Sequence, residues 1–163
     1  MAMNLRVIAT GGTFDKTYDP LTGELVFSES CIPELLRHAR LANEISFQAL
    51  FALDSLDMQD SHRQQILDAC RASAERQIVI IHGTDTMDAT AEVLGKASLS
   101  HTIVLTGAMV PQRVINSDAQ FNLGFAFAAA NVLPAGVYVA MNAQLFNWNE
   151  VKKNRDLGKF ERK

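Results

Sequence analysis

Residues 77–87 read QIVIIHGTDTM, an unbroken aliphatic run that passes straight into a small, polar, glycine-containing stretch. Ile78, Val79, Ile80 and Ile81 do not alternate with polar residues, which is the pattern of a parallel strand buried on both faces. The polar stretch follows at the carboxyl end of that strand, and helical spacing begins at Thr86. The unit is therefore a strand, a polar loop and a helix.

The same unit recurs in both directions along the chain. Strands are expected at Leu5–Ala9, Ile45–Leu53, Gln77–His82, Thr102–Thr106 and Gly136–Met141. Helices are expected between them at Ile32–Ala42, Ser61–Glu75, Thr86–Ser98 and Asp118–Asn131. This alternation predicts an α/β fold of one domain spanning residues 1–163: an open, mostly parallel sheet flanked by helices, a Rossmann-like three-layer sandwich. Three segments stand apart. Thr13–Ser28 carries Asp19-Pro20 and Thr22-Gly23 turn signals beside an extended ELVF run, so it reads as a loop or hairpin over the sheet. FNLGFAFAAANVL, residues 121–133, is apolar nearly all round and is expected to pack between the sheet and a further surface. The tail at 150–163 is basic, with six Lys/Arg against three acids, and a helix is one reading of it.

Composition narrows the classes. With 163 residues, 48% of them hydrophobic, the chain can bury a core and is not of the disordered type. A net charge of −3 supplies no general attraction to nucleic acid. The cysteines, Cys31 and Cys70, are too few for a disulfide framework or a cysteine-based zinc site. The opening MAMNLRVIATGG is too short in its apolar run for a secretory leader or a membrane span, so a cytoplasmic protein without membrane partners is expected.

Ligands of open α/β sheets bind beyond the carboxyl ends of the strands. The unusual polar clusters fall there: Thr10-Gly11-Gly12-Thr13, Asp54-Ser55-Leu56-Asp57, His82-Gly83-Thr84-Asp85-Thr86, Thr106-Gly107-Ala108-Met109 and Met141-Asn142. TGGT lacks the third glycine of a dinucleotide fingerprint, and no Gly-Lys-Ser/Thr phosphate loop is present. The histidines at 38, 62, 82 and 101 lack paired spacing, so no metal site is expected. What the edge offers is hydroxyls. A threonine behind two glycines suits a nucleophile, because glycines let backbone N–H groups approach a substrate and stabilise an oxyanion. Each residue also has a plainer reading. Gly11 and Gly12 can simply make a turn, Thr84 or Asp85 can cap a helix, His82 can be satisfied by backbone, and Lys152 and Lys153 can be solvated.

Ala9-Thr10-Gly11-Gly12-Thr13 and His82-Gly83-Thr84-Asp85-Thr86-Met87 resemble the two signature motifs of the bacterial-type L-asparaginase family, in the right order. Asp54-Ser55-Leu56-Asp57-Met58, Leu105-Thr106-Gly107-Ala108-Met109 with Pro111, Ser117–Leu123 and Glu150-Val151-Lys152-Lys153 extend the resemblance along nearly the whole chain. It implies hydrolysis of L-asparagine to L-aspartate and ammonia without a cofactor. By that resemblance Thr13 attacks the amide carbon, helped by Tyr18, and Thr84, Asp85 and Lys153 form a second centre. Gly12 and Thr84 would supply oxyanion N–H groups, while Ser55 and Asp85 would hold the substrate's α-groups beside Leu56. The chain resembles the N-terminal domain, or the short single-domain form, and the usual C-terminal domain is expected to be absent. Leu56 stands where many members carry Gln, and Val110 stands where they carry Arg. A pocket lacking the polar side chain at 56 is expected to act poorly on glutamine. The apolar stretch around Phe121–Ala130 is expected to make a homodimer or homotetramer. Two other roles fit the same motifs: an asparaginase-like subunit that needs a tRNA-amidotransferase-type partner, and an inactive amino-acid-binding domain.

Overall fold

The computed structural model describes residues 4–42 and 44–163. Residues 1–3, which open the segment read above as too short for a leader, lie outside the described residues. The strands are β1 (Leu5–Gly11), β2 (Lys16–Asp19), β3 (Glu24–Phe27), β4 (Ile45–Leu53), β5 (Gln77–Ile81), β6 (Thr102–Thr106), β7 (Gly136–Met141), β8 (Gln144–Asn147), β9 (Val151–Asn154) and β10 (Lys159–Arg162). The helices are α1 (Ile32–His38), α2 (Asp60–Arg71), α3 (Met87–Lys96) and α4 (Ala119–Val132), with a 3₁₀ turn at Thr13–Asp15.

The central sheet has the order β4-β1-β5-β6-β7-β8, parallel throughout except for the β7–β8 pair. Its strand pattern dictates two cores. Ile8, Ile78, Ile80, Ile103 and Leu105 face one way, onto Ile66, Leu67 and Cys70 of α2 and Met87, Ala91 and Leu94 of α3. Leu5, Val7, Val79, Ile81 and Val104 face the other way, onto Ile32 of α1 and Leu123, Ala126 and Ala130 of α4. Helices thus cover both faces, as the β-branched runs require. The expected fold class is the one observed.

Chain order and sheet order diverge at one place that matters. The chain leaves β1 for β4 on one side, then crosses through α2 to β5 on the other, so the direction of winding reverses between β1 and β5. Such a switch point opens a crevice beyond the carboxyl ends of the two strands. The amino edge is closed by charge instead. Arg6 reaches the Glu75 carboxylate at 2.9 Å, and Ser46 and Ser73 donate to the same group. The Ser46 hydroxyl, against burial and together with Arg6 and Ser73, holds the Glu75 pKa down at about 2.

Several element boundaries differ from the sequence reading. α1 ends at His38 rather than Ala42, because Arg40 takes a left-handed φ of 50° that no helix continues. α2 ends at Arg71 rather than Glu75, and the Ser73 hydroxyl bonds to the Glu75 carbonyl and carboxylate, offering the backbone an alternative to the helix. The tail is not helical. β9 and β10 form an antiparallel hairpin whose Val151 and Phe160 are buried in the α2/α3-side core. β8 is a further strand that the sequence pattern does not announce; it returns from β7 through a two-residue turn at Asn142 and Ala143, with φ of 49° and 63°. α4 packs one face on the sheet, yet Phe121 remains 61% exposed.

Alanine is poorly suited to the left-handed position it holds in the β7–β8 turn. Ala143→Gly should raise stability by about 1 kcal/mol, seen as a higher urea midpoint at unchanged slope. An unchanged or lower midpoint would contradict the strain assigned to this turn.

Candidate active site

β1 and β5 are neighbours with Ala9 opposite Ile81, so their following loops emerge side by side at the switch point. The two loops touch through glycines. Gly12 has φ of 76°, and a Cβ there would lie 2.5 Å from the Gly83 backbone. A Cβ on Gly83 would in turn lie 2.6 Å from the Ser55 Cβ. Three loops therefore meet at a separation that larger side chains would prevent. Thr13 follows Gly12 directly and is half-buried at the start of the 3₁₀ turn. That turn is anchored by fully buried Phe14, and by the Asp15 carboxylate, which accepts the Cys31 N–H at 2.8 Å.

A second cluster is assembled through side chains. The Lys153 ammonium donates to Thr84 Oγ1 at 2.7 Å and to Asp85 Oδ1 at 2.6 Å. Only 8% of the Lys153 side chain is exposed, so it is not the solvated residue that a basic tail suggests. Lys152, next to it, pairs with Glu161 at the surface and fits that plainer reading. β9 places Lys153 here because Val151, two residues earlier, is buried in the core and the hairpin packs beside α3. Arg155 reaches the Asp85 carbonyl at 3.4 Å from the same hairpin. A buried ammonium touching both a hydroxyl and a carboxylate is a proton-handling arrangement, suited to activating the hydroxyl.

The other residues singled out in the sequence lie around these two clusters. Ser55 is buried; its Oγ accepts the Thr86 N–H at 3.3 Å and its carbonyl accepts the Thr86 hydroxyl at 2.8 Å. Leu56 is exposed beside it. Tyr18 lies on the β2–β3 hairpin, where 59% of its surface is open. The expected oxyanion role of the Gly12 N–H is not supported, since that group already donates to the Leu53 carbonyl at 2.9 Å. Among the described residues no group of three or more His, Cys, Asp or Glu is placed to hold a metal ion. No described helix is long and apolar enough to cross a membrane.

Residues 4–158 match the family model described as asparaginase, N-terminal. The chain belongs to the asparaginase family. It is 33% identical over 165 residues to the glutaminase-asparaginase of Acinetobacter glutaminasificans, covering 92% of this chain and 49% of that protein. It is 36% identical over 151 residues to a subunit of the glutamyl-tRNA(Gln) amidotransferase of Aeropyrum pernix, covering 85% of this chain and 34% of that protein. The thermostable L-asparaginase from Thermococcus kodakarensis superposes with a TM-score of 0.88 at 31% identity, over 98% of this chain and 51% of that one. The chain spans about half or less of the length of these relatives.

Sequence reasoning gives no role to three residues that support the site. Asp118 accepts the N–H groups of Met109 and Val110, each at 3.0 Å, and the side-chain amides of Asn122 and Asn142 at 3.0 and 3.2 Å. Burial pushes its pKa up, but the Val110 and Met109 donors and the Asn142 amide outweigh that and hold it below the ordinary value. An acid just before a helix reads as a cap, which conceals this use. Lys16 and Asp54 pair at 2.8 Å, and the hydrogen bond from Lys16 holds the Asp54 pKa down. Their 38-residue separation leaves no local signal.

His82 is satisfied within the fold, as its plainer reading has it. Its Nδ1–H donates to the Gly83 carbonyl and its Nε2 meets the Thr90 hydroxyl, both at 2.7 Å. Complete burial lowers its pKa to about 4, so the ring is neutral in the folded chain and accepts from Thr90. An unfolded histidine binds its proton near pH 6.5, so the unfolded state holds more protons between the two values and stability falls with acid. The chain should lose about 2 kcal/mol from pH 7 to pH 5, and His82→Gln should flatten that slope. The Glu75 window lies lower, so a slope unchanged in the variant would sink the assignment to His82.

Proposed function

We propose that this chain hydrolyses the side-chain amide of L-asparagine, giving L-aspartate and ammonia without a cofactor. The observation that carries the reading is the Lys153–Thr84–Asp85 cluster on the same sheet edge as Gly12-Thr13, at the switch point between β1 and β5. In this reading Thr13 Oγ attacks the amide carbon, and the collapsing intermediate expels nitrogen, which leaves as ammonia after gaining a proton. Water then cleaves the resulting ester, releasing aspartate and restoring the hydroxyl. Tyr18 assists the Thr13 step from the hairpin, which must bring its exposed ring inward. The Thr84 hydroxyl, which accepts from Lys153 while Lys153 also pairs with Asp85, activates the water of the second step, and the Thr84 N–H stabilises the oxyanion. Asp85 and Ser55 take the substrate's α-groups; the Ser55 oxygen accepts from the Thr86 N–H, which leaves its O–H free to donate to a carboxylate.

A second reading is favoured by the likeness to the amidotransferase protein of Aeropyrum pernix. There the same amide chemistry would supply ammonia to a partner protein, and free asparagine would turn over slowly until that partner is added. Assembly with a second copy belongs to the proposal as well. An apolar groove of about 230 Å³ between α1 and α4, lined by Leu35, Leu36, Leu123 and Phe127, supports it.

Ammonia release from L-asparagine should fall on the order of 10³-fold or more in Thr13→Ala and about 10²-fold in Lys153→Met. Glutamine adds one methylene, so its kcat/KM should be roughly 10- to 200-fold lower than that of asparagine. Comparable constants for the two amides would refute the specificity, and no turnover from the folded chain would leave a binding domain as the better description. Light scattering should give at least twice the monomer mass of 17.9 kDa, and a monomer at all dilutions would exclude the assembly.

A further inference from the structure

We propose that Lys16 and Asp54 are a positioning pair that sets the separation between Thr13 and Ser55, and so governs turnover without touching the substrate. This rests on the asparaginase reading of the site. Lys16 caps the 3₁₀ turn that begins at Thr13, its backbone N–H donating to the Thr13 carbonyl. Its side chain leaves that turn and meets Asp54 Oδ2 at 2.8 Å. The other carboxylate oxygen, Oδ1, accepts the Leu56 N–H at 3.2 Å, and the Asp54 carbonyl accepts the Asp57 N–H at 3.0 Å. One residue therefore folds the loop around Ser55 and, through its second oxygen, grips the residue that closes the Thr13 turn.

The lysine is held for this task. Phe27 lies opposite Lys16 in the β2–β3 register, and the ammonium sits 5.3 Å from the centre of its ring. The side chains of the pair are 17% and 34% exposed, so water screens the contact only in part. The root of the hairpin is fastened separately by Asp15 to the Cys31 N–H. With that root tied, the remaining freedom of the hairpin is its angle to the Ser55 loop, and the ion pair lies across that angle. An amide reaction between a threonine and a substrate held by a different loop is sensitive to such spacing, since a displacement of about 1 Å can lower the rate on the order of 10²-fold.

The test uses Lys16→Met, which removes the pair, Lys16→Arg, which keeps it, and Asp54→Asn, which keeps the Leu56 acceptor but loses the charge. For asparagine, Lys16→Met and Asp54→Asn should lower kcat roughly 10- to 100-fold with a smaller change in KM, and Lys16→Arg should retain most of the wild-type rate. Thermolysin should cut the hairpin near Leu21 or Leu25 about 10-fold faster in Lys16→Met, while the urea midpoint stays close to that of the wild type. Equal losses in the Met and Arg variants, or losses that track the urea midpoint, would overturn the positioning role. Unchanged hairpin cleavage in Lys16→Met would overturn it without any assay of turnover. A wild-type chain that releases no ammonia would instead overturn the asparaginase reading itself.

Discussion

The pairing of β1 with β5 is the contact on which the rest of the site depends. It is a parallel pair at the point where the sheet reverses its winding, and it holds Leu5 to Ala9 against Gln77 to Ile81 residue for residue. Both strands are buried on both faces, so neither can slide by one residue without turning an apolar set toward the wrong core. The loops that follow inherit that register, and Gly12 is carried against Gly83 with no space for a side chain between them. Thr13 and Thr84, each next to one of these glycines, share one edge for that reason alone.

Polar groups brought into such a tight edge must find partners, and they do so by tying elements together. His82 bonds along its own loop to Gly83 and across to Thr90 in α3. Thr10 donates to the Ile81 carbonyl across the β1–β5 seam at 2.9 Å. Asp118 gathers donors from the β6–α4 loop, from α4 and from the β7–β8 turn. A carboxylate with several N–H donors stays ionised and rigid, because losing any donor would leave a charge without its partner. The edge that holds the candidate site is thereby stiff beneath its surface.

Two hairpins outside the main sheet supply what the sheet cannot. The β9–β10 hairpin brings a cation to Thr84 and Asp85, and the β2–β3 hairpin carries Tyr18 directly after the Thr13 turn. They differ in their anchorage. The first is fixed by Val151 and Phe160, one from each of its strands, whereas the second is fixed only at its root, by Phe14 and polar contacts, and exposes Leu21 and Leu25. Apolar burial of both strands makes a permanent attachment, while an exposed ribbon fixed only at its root is freer to move about it.

The alternation of β-branched runs with 3.6-residue periodicity is sufficient, by itself, to determine a parallel α/β sheet, since buried strands and amphipathic helices each need that one pattern. Four of the five expected strands begin and end within one residue of those observed, and Leu5–Ala9 runs on only to Gly11. The glycines and hydroxyls at the strand ends mark the edge that holds the candidate site. What the sequence does not contain is any signal for contacts between distant residues. Lys153 reads as solvated because its neighbours are charged, and it is buried only because Val151 and Phe160 turn the tail into a hairpin. The Lys16–Asp54 pair, the use of Asp118 and the diversion of the Gly12 N–H to Leu53 are likewise set by strand order and register. Local propensity and burial are written residue by residue, but which loops meet depends on how a sheet is wound, and tertiary structure alone decides that.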